Sequence, residues 1–158
     1  MASRSIQVYA DTSVFGGVFD EEFSEASSVF FEQVRSGRFR LAVSPVVEEE
    51  VIAGPPDVRA FYESILSSIE MLRVSDEAVR LQEGYLAAGV VGPRSAADAL
   101  HVAVAAVAGC QMIVSWNFRH IVHYDKIPLY NAISVRQGYL PIGIHTPQEV
   151  IHYEDQDV

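Results

Sequence analysis

Four residues with oxygen-bearing side chains stand at points of the chain where a metal site could form. Asp11 directly follows the apolar run Ile6–Ala10, and Asn117 comes shortly after the apolar run Met112–Val114. Glu50 and Asp98 lie in two segments with helical character. Hard divalent cations such as Mg²⁺ and Mn²⁺ prefer oxygen ligands and keep several waters. Three carboxylates and one amide therefore predict such a site, provided that the fold brings them together.

Three of these residues also have an ordinary structural interpretation. Asp11 precedes Thr-Ser-Val, a context typical of a helix N-cap. Asp98 is the fourth residue of Ser-Ala-Ala-Asp, which fits a capping box with Asp in place of the usual Glu. Asn117 is typical of a turn after a strand. Taken one at a time, the residues leave both roles open.

Helical periodicity singles out Glu50 from its two acidic neighbours. If Val46 is set at 0° on a helical wheel, Val47 and Val51 fall at about 100° and about 140°, and Glu50 falls between them and Val46 at about 40°. The two preceding glutamates fall outside this apolar stripe. Glu50 is therefore predicted to face inward.

The helix around Asp98 is unusually apolar, since only Asp98 and His101 interrupt Ala, Val and Leu between residues 96 and 107. A carboxylate against a core is costly unless it is hydrogen-bonded, paired or metal-bound. His101, one turn further along, is predicted to be a packed histidine rather than a ligand. His120 and His123 have a spacing that suits zinc, but no third ligand accompanies them, so no zinc site is predicted.

Short apolar strands alternate with helices along the whole chain. Strands are predicted at 6–10, 41–43, 71–74, 112–114 and around 142–144, and helices at 24–36, from 45, and at 57–68, 75–88, 95–108, 128–137 and from 147. This alternation is typical of a parallel α/β sheet covered on both faces. Ligands of such sheets bind beyond the carboxyl ends of the strands, where Asp11 and Asn117 stand.

Length and composition indicate one globular domain. The chain has 158 residues and 17.4 kDa, 49% hydrophobic residues and a mean hydropathy of +0.16, which excludes disordered and low-complexity classes. Its single cysteine, Cys110, allows no internal disulfide and is consistent with a reducing cytoplasm. The longest uncharged apolar stretch, 102–110, is far shorter than the roughly 20 residues of a membrane span, and no secretory signal is predicted.

The charge balance is acidic. A net charge of −10 and a pI near 4.8 argue against a protein that coats long nucleic acids non-specifically. Two interpretations remain: a carboxylate site around metal ions, or an acidic surface that confers solubility.

Four segments, taken in order, resemble the successive motifs of PIN domains, and in particular of VapC-like toxins from bacterial and archaeal toxin–antitoxin systems. They are Ala-Asp-Thr-Ser-Val at 10–14, the segment 44–51, Ala-Asp-Ala-Leu-His at 97–101 and Val-Ser-Trp-Asn at 114–117. The resemblance extends over roughly residues 6–150. We therefore expect a single PIN-like domain over 1–150, followed by an acidic tail at 151–158.

The resemblance implies a three-layer α/β/α fold with a central parallel sheet of about five short strands. It also implies Mg²⁺- or Mn²⁺-dependent cleavage of RNA by a cytoplasmic protein that forms homodimers and is inhibited by a small antitoxin. By position, Asp11, Glu50 and Asp98 correspond to the three principal acids of the family. Asp11 and Asp98 are expected to be direct ligands, and Glu50 a ligand directly or through water.

Asn117 departs from the family pattern, because many members have a fourth Asp there. It is expected to hold a metal-bound water or a substrate oxygen, and the missing charge is expected either to weaken a second metal site or to leave one metal only. Ser115 corresponds to a common family Ser or Thr and is expected to orient ligands or substrate. Arg94 and Arg119 flank the motifs as candidate phosphate contacts. Trp116 is a candidate for stacking a base, with ordinary packing as the alternative.

Two other classes of function stay open. The first is a receiver-type or phosphoryl-transfer module, suggested by Asp11 after the first strand and by Lys126, although no second acid adjoins Asp11. The second is a catalytically weak PIN-like binding module, which Asn117 keeps open. A P-loop nucleotidase is excluded because the chain has no Gly-rich loop with Lys and Ser or Thr.

Overall fold

Five parallel strands form one sheet at the centre of the molecule. The computed structural model describes residues 5–153, so most of the predicted acidic tail, 154–158, lies outside the described residues. The strands are β1 (Ile6–Ala10), β2 (Phe39–Val43), β3 (Ile69–Met71), β4 (Met112–Val114) and β5 (Gly143–His145). Their order in the sheet is β3-β2-β1-β4-β5, and every neighbouring pair is parallel. This confirms the predicted sheet.

Two groups of helices cover the sheet. The helices are α1 (Thr12–Gly17), α2 (Ser24–Arg35), α3 (Pro45–Ala53), α4 (Pro56–Ser64), α5 (Asp76–Ala87), α6 (Ala96–Val107), α7 (Ile127–Arg136) and α8 (Pro147–Val150). One group consists of α1, α2, α3, α4 and α8, which contact one another, and the other consists of α5, α6 and α7. This arrangement confirms the three-layer α/β/α architecture. Within residues 5–153, no helix is long and apolar enough to cross a membrane.

Two elements differ most from the predictions. The helix predicted at 57–68 ends at Ser64, because Ile65 leaves the helical conformation at φ −113° and a short 3₁₀ turn follows at Leu66–Ser68. The third strand is β3, Ile69–Met71, rather than 71–74. Its pairing with β2 ends where Met71 lies opposite Val43, the last residue of that strand. An apolar run alone does not show where the neighbouring strand stops.

The central strand carries the site. Val8, Tyr9 and Ala10 of β1 are fully buried, as expected for a parallel strand with helices on both faces. Ala10 lies opposite Val114 in the register between β1 and β4. Because the two strands are parallel, the residues that follow them, Asp11 and Ser115, emerge side by side at the carboxyl edge of the sheet.

Candidate active site

Asp11 is a buried carboxylate held by two serine hydroxyls. Its side chain is only 4% exposed. Ser13 Oγ donates to Oδ1 at 2.5 Å, and Ser115 Oγ donates to Oδ2 at 2.7 Å. Asp11 stands at the N-cap position of α1, yet its side chain makes no capping hydrogen bond. The cap interpretation therefore does not account for this side chain, whose oxygens are directed to hydroxyls.

The electrostatic surroundings of Asp11 favour the presence of a cation. Burial raises the pKa of Asp11 above its ordinary value, while His101 and the two serine hydroxyls lower it and the charge of Asp98 raises it. Asp98 is therefore close enough to repel Asp11. Two carboxylates in such a relation are stabilised when a positive ion lies between them.

Asp98 lies in the first turn of α6 and is half-buried. The capping-box alternative for this residue is wrong, because Ser95 at the N-cap of α6 makes no side-chain cap hydrogen bond. A capping box needs the serine hydroxyl to accept from the backbone. A capping role therefore does not explain why a carboxylate lies on this apolar helix.

Glu50 lies at the margin of the buried stripe of α3 rather than inside it. Val47 and Val51 are buried, whereas the Glu50 side chain is 43% exposed, so the inward orientation predicted for it is only partly correct. The wheel places Glu50 next to Val46, which is itself only half-buried. One carboxylate oxygen, Oε1, nevertheless lies 2.8 Å from His101 Nε2.

His101 is a packed histidine, as predicted, and it belongs to a buried hydrogen-bonded chain. It is 2% exposed, and its Nδ1 lies 2.7 Å from the hydroxyl of Tyr9. That hydroxyl in turn lies 2.8 Å from Ser44 Oγ. Ser44, at the N-cap of α3, makes no capping bond because its hydroxyl is directed to Tyr9 instead. This series of hydrogen bonds joins β1, α3 and α6 and ends at Glu50.

Asn117 stabilises the turn after β4. Its backbone N–H donates to Ser115 Oγ at 2.9 Å, and its Oδ1 accepts from the backbone N–H of His120 at 2.9 Å. These contacts are those of the turn interpretation. A side-chain role toward a metal-bound water or a substrate oxygen therefore stays a prediction.

Ser115 and Trp116 are buried. Ser115 is fully buried and donates to Asp11, so it orients a carboxylate. Trp116 is 8% exposed, stacks on Phe23 with ring centroids 4.2 Å apart, and donates from Nε1 to Ser27 Oγ at 2.8 Å. The prediction that Trp116 stacks a base is corrected in favour of packing.

Arg94 and Arg119 are both exposed. Arg94 lies in the 3₁₀ turn Pro93–Ser95 that leads into α6, and Arg119 lies two residues after Asn117. Each is therefore accessible to a ligand. Phosphate contact by these residues stays a prediction.

Sequence reasoning missed three hydroxyl groups. Ser13 contacts Asp11, Tyr9 contacts His101, and Ser44 contacts Tyr9. Ser13 had a recognisable signal, because a serine two residues from an aspartate often forms a local hydrogen bond. Tyr9 and Ser44 had none, since their partners lie far away in the chain.

The donor set suits a hard cation, although a preformed three-acid cluster is missing. No three acidic, histidine or cysteine side chains within residues 5–153 are arranged as a ready-made metal site. The expected convergence of Asp11, Glu50 and Asp98 in one pocket therefore stays a prediction. Asp11 and Asp98 interact electrostatically, whereas Glu50 is joined to them through His101.

Mg²⁺ does not require such a cluster, because proteins commonly hold it through one or two carboxylates and several waters. Among the described residues, Thr12 Oγ1, next to Asp11 in the chain, is the buried side-chain atom without a hydrogen-bond partner. Thr12 and Ser13 line an open cleft together with Glu50. The chemistry of these oxygen donors fits a hard divalent cation, and the roles of Asp11, Asp98 and Glu50 as its ligands stay predictions.

The chain belongs to the PIN domain family. The family model for the PIN domain matches residues 8–127, a range that contains all four predicted site residues. This match overturns the receiver-type alternative. In agreement, Lys126 donates from Nζ to the backbone carbonyl of Val90 at 2.8 Å rather than facing Asp11. No curated protein sequence matches the chain significantly.

Solved structures share the fold at low sequence identity. A structure of FitAB bound to an IR36 DNA fragment superposes with a TM-score of 0.58 at 12% identity, covering 93% of this chain and 99% of that one. VapC20 of Mycobacterium tuberculosis, described as a toxin that cleaves the sarcin-ricin loop, gives 0.54 at 12% identity and coverages of 85% and 98%. VapBC2 of Rickettsia felis, bound to a promoter DNA fragment, gives 0.53 at 13% identity and coverages of 72% and 90%.

Proposed function

We propose that this PIN domain is a metal-dependent endoribonuclease and the toxin of a toxin–antitoxin pair. The observation that carries the proposal is Asp11, a buried carboxylate at the carboxyl end of the central strand that two serines hold and Asp98 repels. A protein tolerates such a group where a cation is to be bound.

Hydrolysis of a phosphodiester needs a nucleophilic water and stabilisation of the charge that develops on the phosphate. A Mg²⁺ or Mn²⁺ ion held by Asp11 and Asp98 would supply Lewis-acid activation of both. Ser13 and Ser115 keep the Asp11 oxygens in fixed directions, and Glu50 offers an exposed carboxylate that can orient a water. Arg94 and Arg119 are proposed to bind the phosphates of the RNA.

The partners are inferred from the structural neighbours. Those neighbours are described as VapBC and FitAB complexes and as an RNA-cleaving toxin. They support an RNA substrate, a cognate antitoxin and a cytoplasmic location for this protein. A homodimer is proposed as well, and the segment 124–140 offers exposed apolar side chains for it: Tyr124, Leu129, Val135 and Leu140.

A second candidate function is a PIN-like binding module without nuclease activity. It is favoured by one observation: Asn117 is neutral, and its side-chain oxygen is used in a turn. The two functions differ in whether RNA is cut in a metal-dependent manner.

The test is cleavage of a structured RNA in Mn²⁺, in Mg²⁺ and in EDTA. We expect cleavage in both metals, none in EDTA, and none by Asp98→Asn. The matched control is Asp76→Asn, which removes the same charge from the first turn of α5, where the side chain is exposed; this variant should cut like wild type. Cleavage that survives both EDTA and Asp98→Asn would contradict the metal mechanism. A wild type that binds RNA but cuts nothing would favour the binding module.

A further inference from the structure

Glu50 is the most exposed of the three acids. It stands on the exposed margin of α3, and a glutamate side chain there has several rotamers available. A single strong contact holds it, the 2.8 Å approach of His101 Nε2 to its Oε1. The second oxygen, Oε2, is left for another partner.

His101 itself is rigidly placed. It is buried on α6 one turn after Asp98, and its Nδ1 contacts the Tyr9 hydroxyl. Tyr9 lies two residues before Asp11 on β1, and Ser44, which contacts Tyr9, opens α3. The chain of contacts thus connects the three elements that carry Asp11, Glu50 and Asp98.

His101 Nε2 donates to Glu50, because an ionised carboxylate can only accept a hydrogen bond and the two atoms lie 2.8 Å apart. The other ring nitrogen, Nδ1, lies 2.7 Å from the Tyr9 hydroxyl, which lies 2.8 Å from Ser44 Oγ. These contacts hold the ring so that Nε2 faces Glu50.

We propose that His101 is a positioning residue that holds the Glu50 carboxylate through Nε2, so that the free oxygen faces the metal-bound water or substrate. The inference rests on the proposed function for the identity of the metal site. Outer contacts of this kind typically change metal affinity about 10- to 100-fold when they are removed. A histidine that merely fills space would not depend on which of its nitrogens is retained.

Two substitutions separate the roles of the two ring nitrogens of His101. His101→Gln places an amide near the position of Nε2 and can still donate to Glu50. His101→Asn is shorter, keeps a polar group near Nδ1 for Tyr9, and does not reach Glu50. We expect Mn²⁺ affinity, measured by titration calorimetry, to fall about 10-fold or more in His101→Asn and to stay within about 3-fold of wild type in His101→Gln. RNA cleavage should follow the same order.

A third substitution tests the proposal even if one of the two His101 variants fails to fold. Tyr9→Phe keeps the buried ring but removes the hydroxyl that fixes Nδ1, and we expect a smaller loss of Mn²⁺ affinity than in His101→Asn. In a Glu50→Ala background, His101→Asn should cause no further loss of Mn²⁺ affinity, because the group that it positions is gone.

One measurement needs neither metal nor RNA. In long-range ¹⁵N–¹H spectra of the metal-free wild type, the His101 ring should carry its proton on Nε2. An unprotonated Nε2 would overturn the proposal. Equal losses of affinity in His101→Gln and His101→Asn, no loss in either, or no Mn²⁺ binding by wild type would also overturn it. A wild type that binds Mn²⁺ with this pattern but cuts no RNA would refute the proposed function and leave the positioning role standing.

Discussion

Asp11 shows how a buried charge is tolerated when its hydrogen bonds are provided locally. Burial of an ionised carboxylate is expensive, and each donated hydrogen bond recovers part of that cost. Ser13 donates one hydrogen bond to Oδ1, and Ser115 donates one to Oδ2. Both oxygens can therefore accept further hydrogen bonds. The carboxylate is thus oriented without being saturated.

Asp98→Asn tests the metal assignment through stability. In EDTA, the variant should be as stable as wild type or more stable, because repulsion between Asp98 and Asp11 is removed. In Mn²⁺, wild type should gain about 2.7 kcal/mol at a hundredfold excess over the dissociation constant, whereas the variant should gain nothing. Thermal melts of both proteins in EDTA and in Mn²⁺ measure this. An Asn variant that keeps the full metal response would contradict the assignment of Asp98.

Cys110 should be inert in the folded protein. It is 2% exposed, and burial raises the pKa of its thiol to about 12 from 9.0, so almost no thiolate is present at neutral pH. We expect labelling by a thiol reagent at pH 8 to be slow until denaturant is added. Since the folded state retains this proton longer than the unfolded state, the contribution of Cys110 should lower stability as the pH rises from about 9 toward 12. A Cys110→Ala variant should show less of this loss in denaturant titrations.

Helix starts in this chain divide into those capped by a side chain and those that are not. Ser75 accepts from the backbone N–H of Ala78 at the start of α5, and Thr146 forms a capping box with Glu149 at α8. Ser44 and Ser95 occupy equivalent N-cap positions in α3 and α6 without such bonds. These two helices, which begin at a serine that does not cap them, carry Glu50 and Asp98.

The same substitution at two of these serines should therefore have unequal effects. Ser75→Ala removes a cap and should cost about 1 kcal/mol, which corresponds to roughly 2–4 °C in the melting temperature of a chain of this size. Ser95→Ala removes no cap bond and should cost less than half of that. Equal destabilisation in thermal melts would show that Ser95 has a stabilising contact of similar strength.

The molecule combines a strongly acidic surface with exposed apolar side chains near its C-terminal half. Its net charge is −10, while Leu129 and Val135 of α7 and the nearby Leu140 are exposed. Apolar side chains at a surface are ordinary when single but favour association when grouped in one segment. The proposed dimer is consistent with this distribution.

Light scattering coupled to gel filtration tests the dimer directly. At micromolar concentration we expect about twice the chain mass of 17.4 kDa, with a shift toward the monomer mass on serial dilution if the interface is small. Raising the salt concentration should screen repulsion between the two acidic copies and favour the dimer. A constant monomer mass over the whole range would contradict the prediction.

Local patterns along the chain were enough to predict the sheet, its parallel strands and the position of Asp11 directly after the central strand. The apolar runs of β1 and β4, the Ser75 cap and the position of Asp11 all depend on neighbours within a few residues. The helical wheel placed Glu50 inside the apolar stripe of α3, whereas its side chain is 43% exposed in the structure.

The partners of the polar side chains could not be predicted in this way, because they lie far apart in sequence. His101 meets Tyr9 across 92 residues, and Ser115 meets Asp11 across 104. Whether a serine caps its own helix or bonds to a distant group depends on which contact packing brings within reach. Ser44, Ser95 and Trp116 therefore have roles that differ from those their local sequence favours, since hydrogen bonds and burial are determined by distances in the folded chain.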